Sequence, residues 1–318
     1  MNNKKIFSRI GISLSVMTVL VSTLQILSDL LPNNDLIMWL GTFLPIFIVG
    51  YPVGYLMMKN LPTSDFEDNK LNFKSFIVYF CICYTFMYFG NIIGNLLSSV
   101  LSNGDASNPL NNYIMSDANI FIRIAIFVVL SPLCEELIFR KVIIDRTVRF
   151  GQKTAIAFSA VMFALFHLNL YQIFYAFGIG LVFGHVYVKT HDIKYSFMLH
   201  ALLNFMGSIL STLVLSTLDM ELLNEIAEAG YVVTIDENTI SKLFPGALIL
   251  LIWIIFIFAL SIAGFVLFVK NIRKVKYPDM PEQLEKGTVF NTVYLNVGVI
   301  VFICLCASVM IYITAIAV

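Results

Sequence analysis

The chain has 318 residues, of which 59% are hydrophobic and 13% are charged, and its formal net charge at pH 7 is zero. Typical soluble domains contain about 25% charged residues, so this composition indicates a membrane protein and argues against a soluble domain. The lack of a basic stripe excludes nucleic acid as a partner. All five cysteines lie within apolar runs, which indicates no disulfide framework.

Apolar segments long enough to cross a membrane follow one another along the chain. A helix needs about 20 residues to cross ~30 Å of hydrocarbon. Candidate spans lie near residues 10–31, 36–58, 75–100, 119–144, 153–169, 172–189, 195–217, 245–269 and 290–317. Because the fifth and sixth segments are short, we predict an all-α, polytopic transmembrane helical bundle of about eight or nine spans.

The basic residues alternate between the segments that connect these spans. Lys and Arg are concentrated before the first span and in residues 59–74, 140–153, 189–194 and 270–286, whereas the loops at 32–35, 101–118 and 218–244 contain only Lys242. Cytoplasmic loops carry the excess of basic residues, so the N-terminus is predicted to be cytoplasmic. The frequent use of Asn, Lys and Ile favours a bacterial origin, and hence a multi-pass protein of the bacterial cytoplasmic membrane.

Polar residues within the spans divide the chain into three predicted parts. Residues 1–110 contain N-terminal transmembrane helices, and residues 115–217 form a core that holds the polar motifs described next. Residues 218–318 comprise an acidic extracytoplasmic loop and two C-terminal transmembrane helices.

Two adjacent carboxylates, Glu135 and Glu136, lie within the fourth apolar segment. A carboxylate in a membrane span costs about 2.5–3.5 kcal/mol on insertion scales, so the pair must be neutralised or used. Glu136 and Arg140 are four residues apart and can pair on one helix face. Glu135 lies about 100° around the helix and can face another element. The motif therefore indicates either a general base at Glu135 or a self-satisfied ion-pair cluster.

A histidine on the next predicted helix, in the motif Phe163-x-x-x-His167, can reach the level of these carboxylates. Glu135 and His167 are equally far in sequence from a predicted turn at residues 150–152. In an antiparallel hairpin both would lie about 20 Å from that turn, at 1.5 Å per residue. A packing role for His167 is the alternative.

A third motif, His200-x-x-x-Asn204, lies on the seventh predicted helix. Its spacing places the imidazole and the amide on one face. The pair can stabilise an oxyanion, His200 can ligate a metal, or both can form an interhelical hydrogen bond. Together the three motifs supply the groups needed for water activation and oxyanion stabilisation in peptide-bond hydrolysis.

These motifs, in this order on successive apolar helices, resemble those of the CAAX-protease and bacteriocin-processing family of intramembrane proteases, also called the CPBP or Abi family, the relatives of CAAX prenyl protease 2. The stretch 137–141 is similar to the family's EEllFRG sequence, with Lys141 where the family often has Gly. Residues 178–184 and 189–192 resemble its Gly-rich helix and following turn. The resemblance covers roughly residues 115–210.

The resemblance implies a role for each polar residue of the motifs. Glu135 and His167 would activate the hydrolytic water, His200 and Asn204 would stabilise the oxyanion, and Glu136 with Arg140 would orient Glu135. The family is often described as metalloproteases, and Glu135, His167 and His200 could hold zinc or another divalent metal with an open position. The zinc motif H-E-x-x-H is absent, and a metal-free glutamate mechanism uses the same atoms.

The resemblance therefore implies an intramembrane endopeptidase that acts within the lipid bilayer. Its substrates would be small hydrophobic or membrane-associated peptides and proteins, such as bacteriocin or pheromone precursors or lipid-modified proteins. Two alternatives stay open. One is a non-catalytic membrane immunity or scaffold protein of the same fold. The other is a proton-coupled transporter that uses Glu135 and Glu136 as a relay.

Overall fold

The computed structural model describes residues 3–28, 30–31, 35–64, 68–102, 119–229 and 237–316. All regular structure in these residues is helical, which confirms the predicted all-α polytopic bundle. Parts of the predicted loops at 32–35, 101–118 and 218–244, and the end of the predicted span 290–317, lie outside the described residues. The three-part division at residues 110, 115 and 217 and the cytoplasmic N-terminus stay predictions.

Eleven helices, numbered here in chain order, make up the described part of the chain. The bounds are α1 Asn3–Ser28, α2 Asp35–Leu44 continued by Pro45–Gly50 and Tyr51–Met58, α3 Phe73–Leu101, and α4 Ile120–Arg123 continued by Ile124–Leu130, Ser131–Glu136, Leu137–Ile144 and Asp145–Thr147. They continue with α5 Gln152–Phe166, α6 Leu170–Thr190, α7 Ile193–Asn204 continued by Phe205–Leu210 and Ser211–Leu215, α8 Met220–Ala229, α9 Glu237–Ile272, α10 Val289–Val293 and α11 Val297–Ile316.

Seven helices within the described residues are long and apolar enough to cross a membrane, namely α1, α2, α3, α6, α7, α9 and α11. The other two predicted spans correspond to α4, which carries the charged motif, and to α5. Helix α5 has only 15 residues, fewer than the roughly 20 that a full crossing needs. Two of the three polar motifs, those of Glu135 and His167, therefore lie on helices that depart from simple spans in length or composition, whereas the third lies on α7, which is long and apolar enough to span.

Helix α6 occupies the centre of the bundle, packed between α3 and α5, while α9 covers the other side of α3. The first and last long helices, α1 and α11, pack against each other. A Cβ at Gly298 would lie 1.8 Å from the Ser8 carbonyl oxygen, so glycine is what permits this close crossing. Both helices also contact α5, α1 through the ring contact of Phe7 with Phe158 and α11 along part of its length.

The turn between α4 and α5 lies where the sequence predicts it. A 3₁₀ turn at Val148–Phe150 is followed by Gly151 with φ +119°, a conformation that glycine adopts readily, and then by the start of α5. The loop between α9 and α10 packs on this turn, where Leu284 N donates to Phe150 O at 3.1 Å. The turn and the packing of α5 against the Leu137–Ile144 part of α4 agree with the predicted antiparallel hairpin, while the equal depth of Glu135 and His167 stays a prediction.

Four segments of the described helices are π-helical, and two of them flank the turn of α4 that carries the glutamates. Residues Ile124–Leu130 precede Ser131–Glu136, and Leu137–Ile144 follow it. A third, Phe205–Leu210, lies directly after Asn204 in α7. Such segments change the helix register and are frequent at functional sites.

Candidate active site

A cavity of about 570 Å³ opens among helices α2 to α7 and is lined by four of the six predicted site residues. These are Glu135, His167, His200 and Asn204. Much of the remaining lining is apolar or aromatic and comes from Phe43, Ile46, Tyr84, Phe127, Ile179 and Leu203. The two other predicted residues, Glu136 and Arg140, lie behind this wall.

Glu136 and Arg140 form the ion pair that their spacing predicts. Arg140 Nε donates to Glu136 Oε2 at 3.1 Å, and both side chains have no solvent exposure. A second guanidinium nitrogen donates to Ser159 Oγ on α5 at 2.8 Å. The guanidinium also lies 4.8 Å from the centre of the Phe163 ring. These contacts lock Arg140 between α4 and α5 and compensate its buried charge.

His200 stands between the two glutamates. Its Nδ1 donates to Glu136 Oε1 at 3.1 Å, and its Nε2 lies 3.6 Å from Glu135 Oε2. The hydrogen bond to Glu136 fixes which ring nitrogen faces the carboxylate of Glu135. The structure therefore links the Glu136–Arg140 pair to His200. The sequence-based expectation was that this pair orients Glu135.

His167 ends α5 and faces the same cavity. Its Nδ1 donates to the Phe163 carbonyl oxygen at 2.8 Å. A neutral imidazole that donates through Nδ1 carries its lone pair on Nε2, so this nitrogen is the acceptor. No hydrogen bond joins the side chains of His167 and Glu135, although both line the cavity. The hairpin thus brings the two side chains to one cavity, as their equal distance from the turn predicts.

Glu135 carries a carboxylate oxygen that no hydrogen bond of the protein satisfies. Its side chain is 16% exposed, and its Oε2 is buried without a hydrogen-bond partner among the described residues. Buried carboxylate oxygens are normally hydrogen-bonded. Because the Glu135 side chain lines the cavity, its carboxylate can accept a hydrogen bond from a molecule bound there.

Asn204 lines the cavity and also holds α4. Its Nδ2 donates to the Phe127 carbonyl oxygen at 2.8 Å. In the π register of this segment Ser131 N donates to Ile126 O, so Phe127 O would accept from residue 132. Residue 132 is a proline and has no N–H, which leaves that carbonyl to Asn204. The second N–H of the amide stays available to the cavity.

This arrangement makes the cost of losing Asn204 depend on Pro132. Replacing Asn204 by Ala leaves Phe127 O unpaired, and we expect a loss of about 1–3 kcal/mol in the free energy of unfolding. In a Pro132→Ala background, residue 132 has an N–H that can donate to Phe127 O, so the same substitution is expected to cost less. Denaturant unfolding of the four proteins in detergent measures this double-mutant cycle. Equal losses in both backgrounds would show that Pro132 does not free the carbonyl.

The predicted metal-ligand set does not form a metal site in this structure. Catalytic zinc sites usually combine three protein donors with one open position. The described residues contain no group of three or more His, Cys, Asp or Glu side chains placed to hold a metal ion. Glu135, His167 and His200 line one cavity without forming such a cluster.

Two residues of α5 besides His167 shape the site, and of these only Phe163 belonged to a predicted motif. The Phe163 ring lies 4.8 Å from the His167 ring and 5.8 Å from the His200 ring, edge-on to both, and Ser159, which was not predicted, binds Arg140. Ser159, Phe163 and His167 recur every four residues and so share one helix face. That spacing was the available signal. Nothing comparable marked Tyr175 and Gln172 of α6, which also line the cavity.

One comparison with known proteins finds a match. Residues 117–206 match the family model described as Type II CAAX prenyl endopeptidase Rce1-like. No curated protein and no solved structure matches the chain. The matched segment contains α4, α5, α6 and the first part of α7, and hence all six predicted site residues.

Proposed function

Residues 117–206 of this chain belong to the CAAX-protease family, and from this premise we propose that it hydrolyses peptide bonds with water activated by Glu135. The observation that carries the proposal is the cavity itself. The Glu135 side chain lines this cavity with two histidines and an asparagine, and its Oε2 has no hydrogen-bond partner among the described residues, within a bundle of apolar helices.

Glu135 acts as the general base in this mechanism. It takes a proton from a water molecule as the water oxygen attacks the carbonyl carbon of the substrate. His167 Nε2, the acceptor nitrogen of that ring, receives the second hydrogen bond of the same water and helps to orient it. When the tetrahedral intermediate collapses, the C–N bond breaks and the proton moves from Glu135 to the leaving nitrogen.

His200 and Asn204 stabilise the negative charge that develops on the carbonyl oxygen. The second N–H of the Asn204 amide and the His200 ring at Nε2 are the groups that contact this oxyanion. The Glu136 carboxylate fixes the orientation of the His200 ring by accepting the 3.1 Å hydrogen bond from Nδ1. Arg140 in turn holds Glu136 at 3.1 Å. Glu136 and Arg140 thus act as positioning residues for His200.

The lining and the setting of the cavity support one class of substrate. Its aromatic and aliphatic walls suit an apolar peptide segment, and its position among apolar helices suits a peptide that arrives through the bilayer. We propose hydrophobic or membrane-associated peptides as substrates, with bacteriocin or pheromone precursors and lipid-modified proteins as the candidates. The proposed location is the cytoplasmic membrane of a bacterium, with a cytoplasmic N-terminus.

The substrate class is tested with the full chain reconstituted in lipid vesicles. We expect cleavage of peptides that carry an apolar, membrane-partitioning segment, and at least tenfold slower cleavage of polar peptides of equal length, because only the former enter a cavity within the bilayer. Mass spectrometry of the products measures both rates. Cleavage of polar peptides at the same rate would contradict the proposed substrate class.

A further inference from the structure

A hydrogen-bonded relay runs from the backbone of His167 to the Tyr175 side chain on α6. Asn169 Nδ2 donates to the His167 carbonyl oxygen at 3.0 Å and to Gln172 Oε1 at 2.6 Å. Gln172 Nε2 then donates to Tyr175 Oη at 2.6 Å. Each amide orientation is therefore fixed by its neighbour, and the relay ends at a phenol.

The direction of the last bond decides what Tyr175 can do. Its oxygen accepts the hydrogen of Gln172, so the hydrogen of the phenol remains to be donated. No described residue accepts it, and Tyr175 lines the cavity together with Glu135 and His167. Tyr175 thus has a spare hydrogen-bond donor in the cavity where the proposed reaction takes place.

The backbone around Tyr175 is held rigidly by α3. A Cβ at Gly90 would lie 2.4 Å from Tyr175 N, and one at Gly94 would lie 2.7 Å from Tyr171 O, so only glycine permits this approach. On the other side, Leu168 adopts a left-handed conformation with φ +56°, and Asn169 Oδ1 accepts from Gln172 N at 2.9 Å to begin α6. A donor fixed in this way loses little freedom when it binds a ligand.

We infer that Tyr175 is a further catalytic residue, whose O–H donates a hydrogen bond to the carbonyl oxygen of the substrate as that oxygen becomes negative. The inference rests on the proposed peptidase function. Asn169 and Gln172 are positioning residues, because Asn169 orients the Gln172 amide so that it donates to the phenol oxygen, which leaves the phenol hydrogen to be donated. Such a donor acts mainly on the transition state, so its loss lowers kcat more than it raises KM.

Two substitutions test this role in the reconstituted full chain with an apolar peptide. Tyr175→Phe removes the donor, and we expect kcat to fall about 10²–10³-fold, the usual effect of losing one oxyanion donor, with KM changed less than threefold. Gln172→Glu keeps the phenol but offers it an acceptor, so the hydrogen turns away from the substrate and kcat falls as well. Tyr294→Phe, on a tyrosine outside the cavity, is the matched control and keeps the wild-type kcat.

The outcomes distinguish failure of the proposed peptidase function from failure of the role of Tyr175. If the wild-type chain cleaves no peptide, the proposed function fails. A second outcome is that the wild type cleaves while both variants keep the wild-type kcat and are shown by thermal unfolding to be folded. In that case the role of Tyr175 is wrong, and the proposed function stands. A rise in KM at unchanged kcat would overturn it too, because that pattern indicates binding of the ground state. If Tyr175→Phe does not fold, the kcat of Gln172→Glu decides: a lower kcat supports the role of Tyr175, and the wild-type kcat contradicts it.

Discussion

Replacing Glu135 by Gln is expected to lower kcat about 10²–10⁴-fold, the usual contribution of a general base. The substitution keeps the shape of the side chain but removes its ability to accept a proton from water. Because Glu135 Oε2 has no hydrogen-bond partner among the described residues, the folded state loses little, and we expect the midpoint of thermal unfolding to stay within a few degrees of wild type. Initial cleavage rates over a range of peptide concentrations measure the effect.

Glu282→Gln provides the matched control for this experiment. Glu282 lies on the loop that covers the α4–α5 turn, is 49% exposed, and pairs with Arg149 at 3.4 Å. Exposed pairs of this kind contribute about 0–1 kcal/mol, so this variant should keep both the activity and the stability of the wild type. A Glu135→Gln variant with the wild-type kcat would contradict the role of Glu135 as base.

Replacing Arg140 by Met is expected to lower the free energy of unfolding by about 3–5 kcal/mol, because it leaves the carboxylate of Glu136 buried without its cation. Both side chains are fully buried, so water cannot replace the lost partner. Ser159 Oγ and the Phe163 ring lose the contacts that they make with the guanidinium. Denaturant unfolding in detergent, followed by tryptophan fluorescence, measures the loss.

A second variant distinguishes the buried charge from lost packing. In the double variant Glu136→Gln with Arg140→Met the carboxylate of Glu136 is gone, so we expect it to be more stable than Arg140→Met alone. Lys194→Met is the surface control, since Lys194 is 57% exposed, its partner Asp192 is 33% exposed, and such a pair is worth little. A double variant that is less stable than Arg140→Met would show that packing, and not charge, dominates the effect.

Spacing within one helix or one hairpin could be predicted from the sequence because it depends on helix geometry alone. The pairing of Glu136 with Arg140 follows from four-residue spacing, and the shared cavity of Glu135 and His167 follows from their distance to the Gly151 turn. Both predictions start from the rise and the rotation per residue of a regular α-helix. The π-helical stretch Leu137–Ile144 changes this geometry between Glu135 and the turn, so the spacing gives the position of Glu135 only approximately.

Contacts between distant helices could not be predicted in the same way, since they depend on how the helices rotate against one another. The sequence placed His200 near the glutamates but gave no reason for its hydrogen bond to Glu136. The bond from Asn204 to Phe127 O depends on the π register before Pro132. A register change of this kind shifts every later side chain around the helix and has no simple signature in a single sequence.

The most direct test of the central claim is the mass balance of one reaction. Wild type and Glu135→Gln are purified, shown to be folded and reconstituted in vesicles in equal amounts. Each is incubated with an apolar peptide, and mass spectrometry measures the masses of the products. For the wild type we expect two fragments whose masses add up to the peptide plus one water molecule, and for the variant only intact peptide. Intact peptide with both proteins, or equal amounts of fragments from both, would contradict hydrolysis by water activated at Glu135.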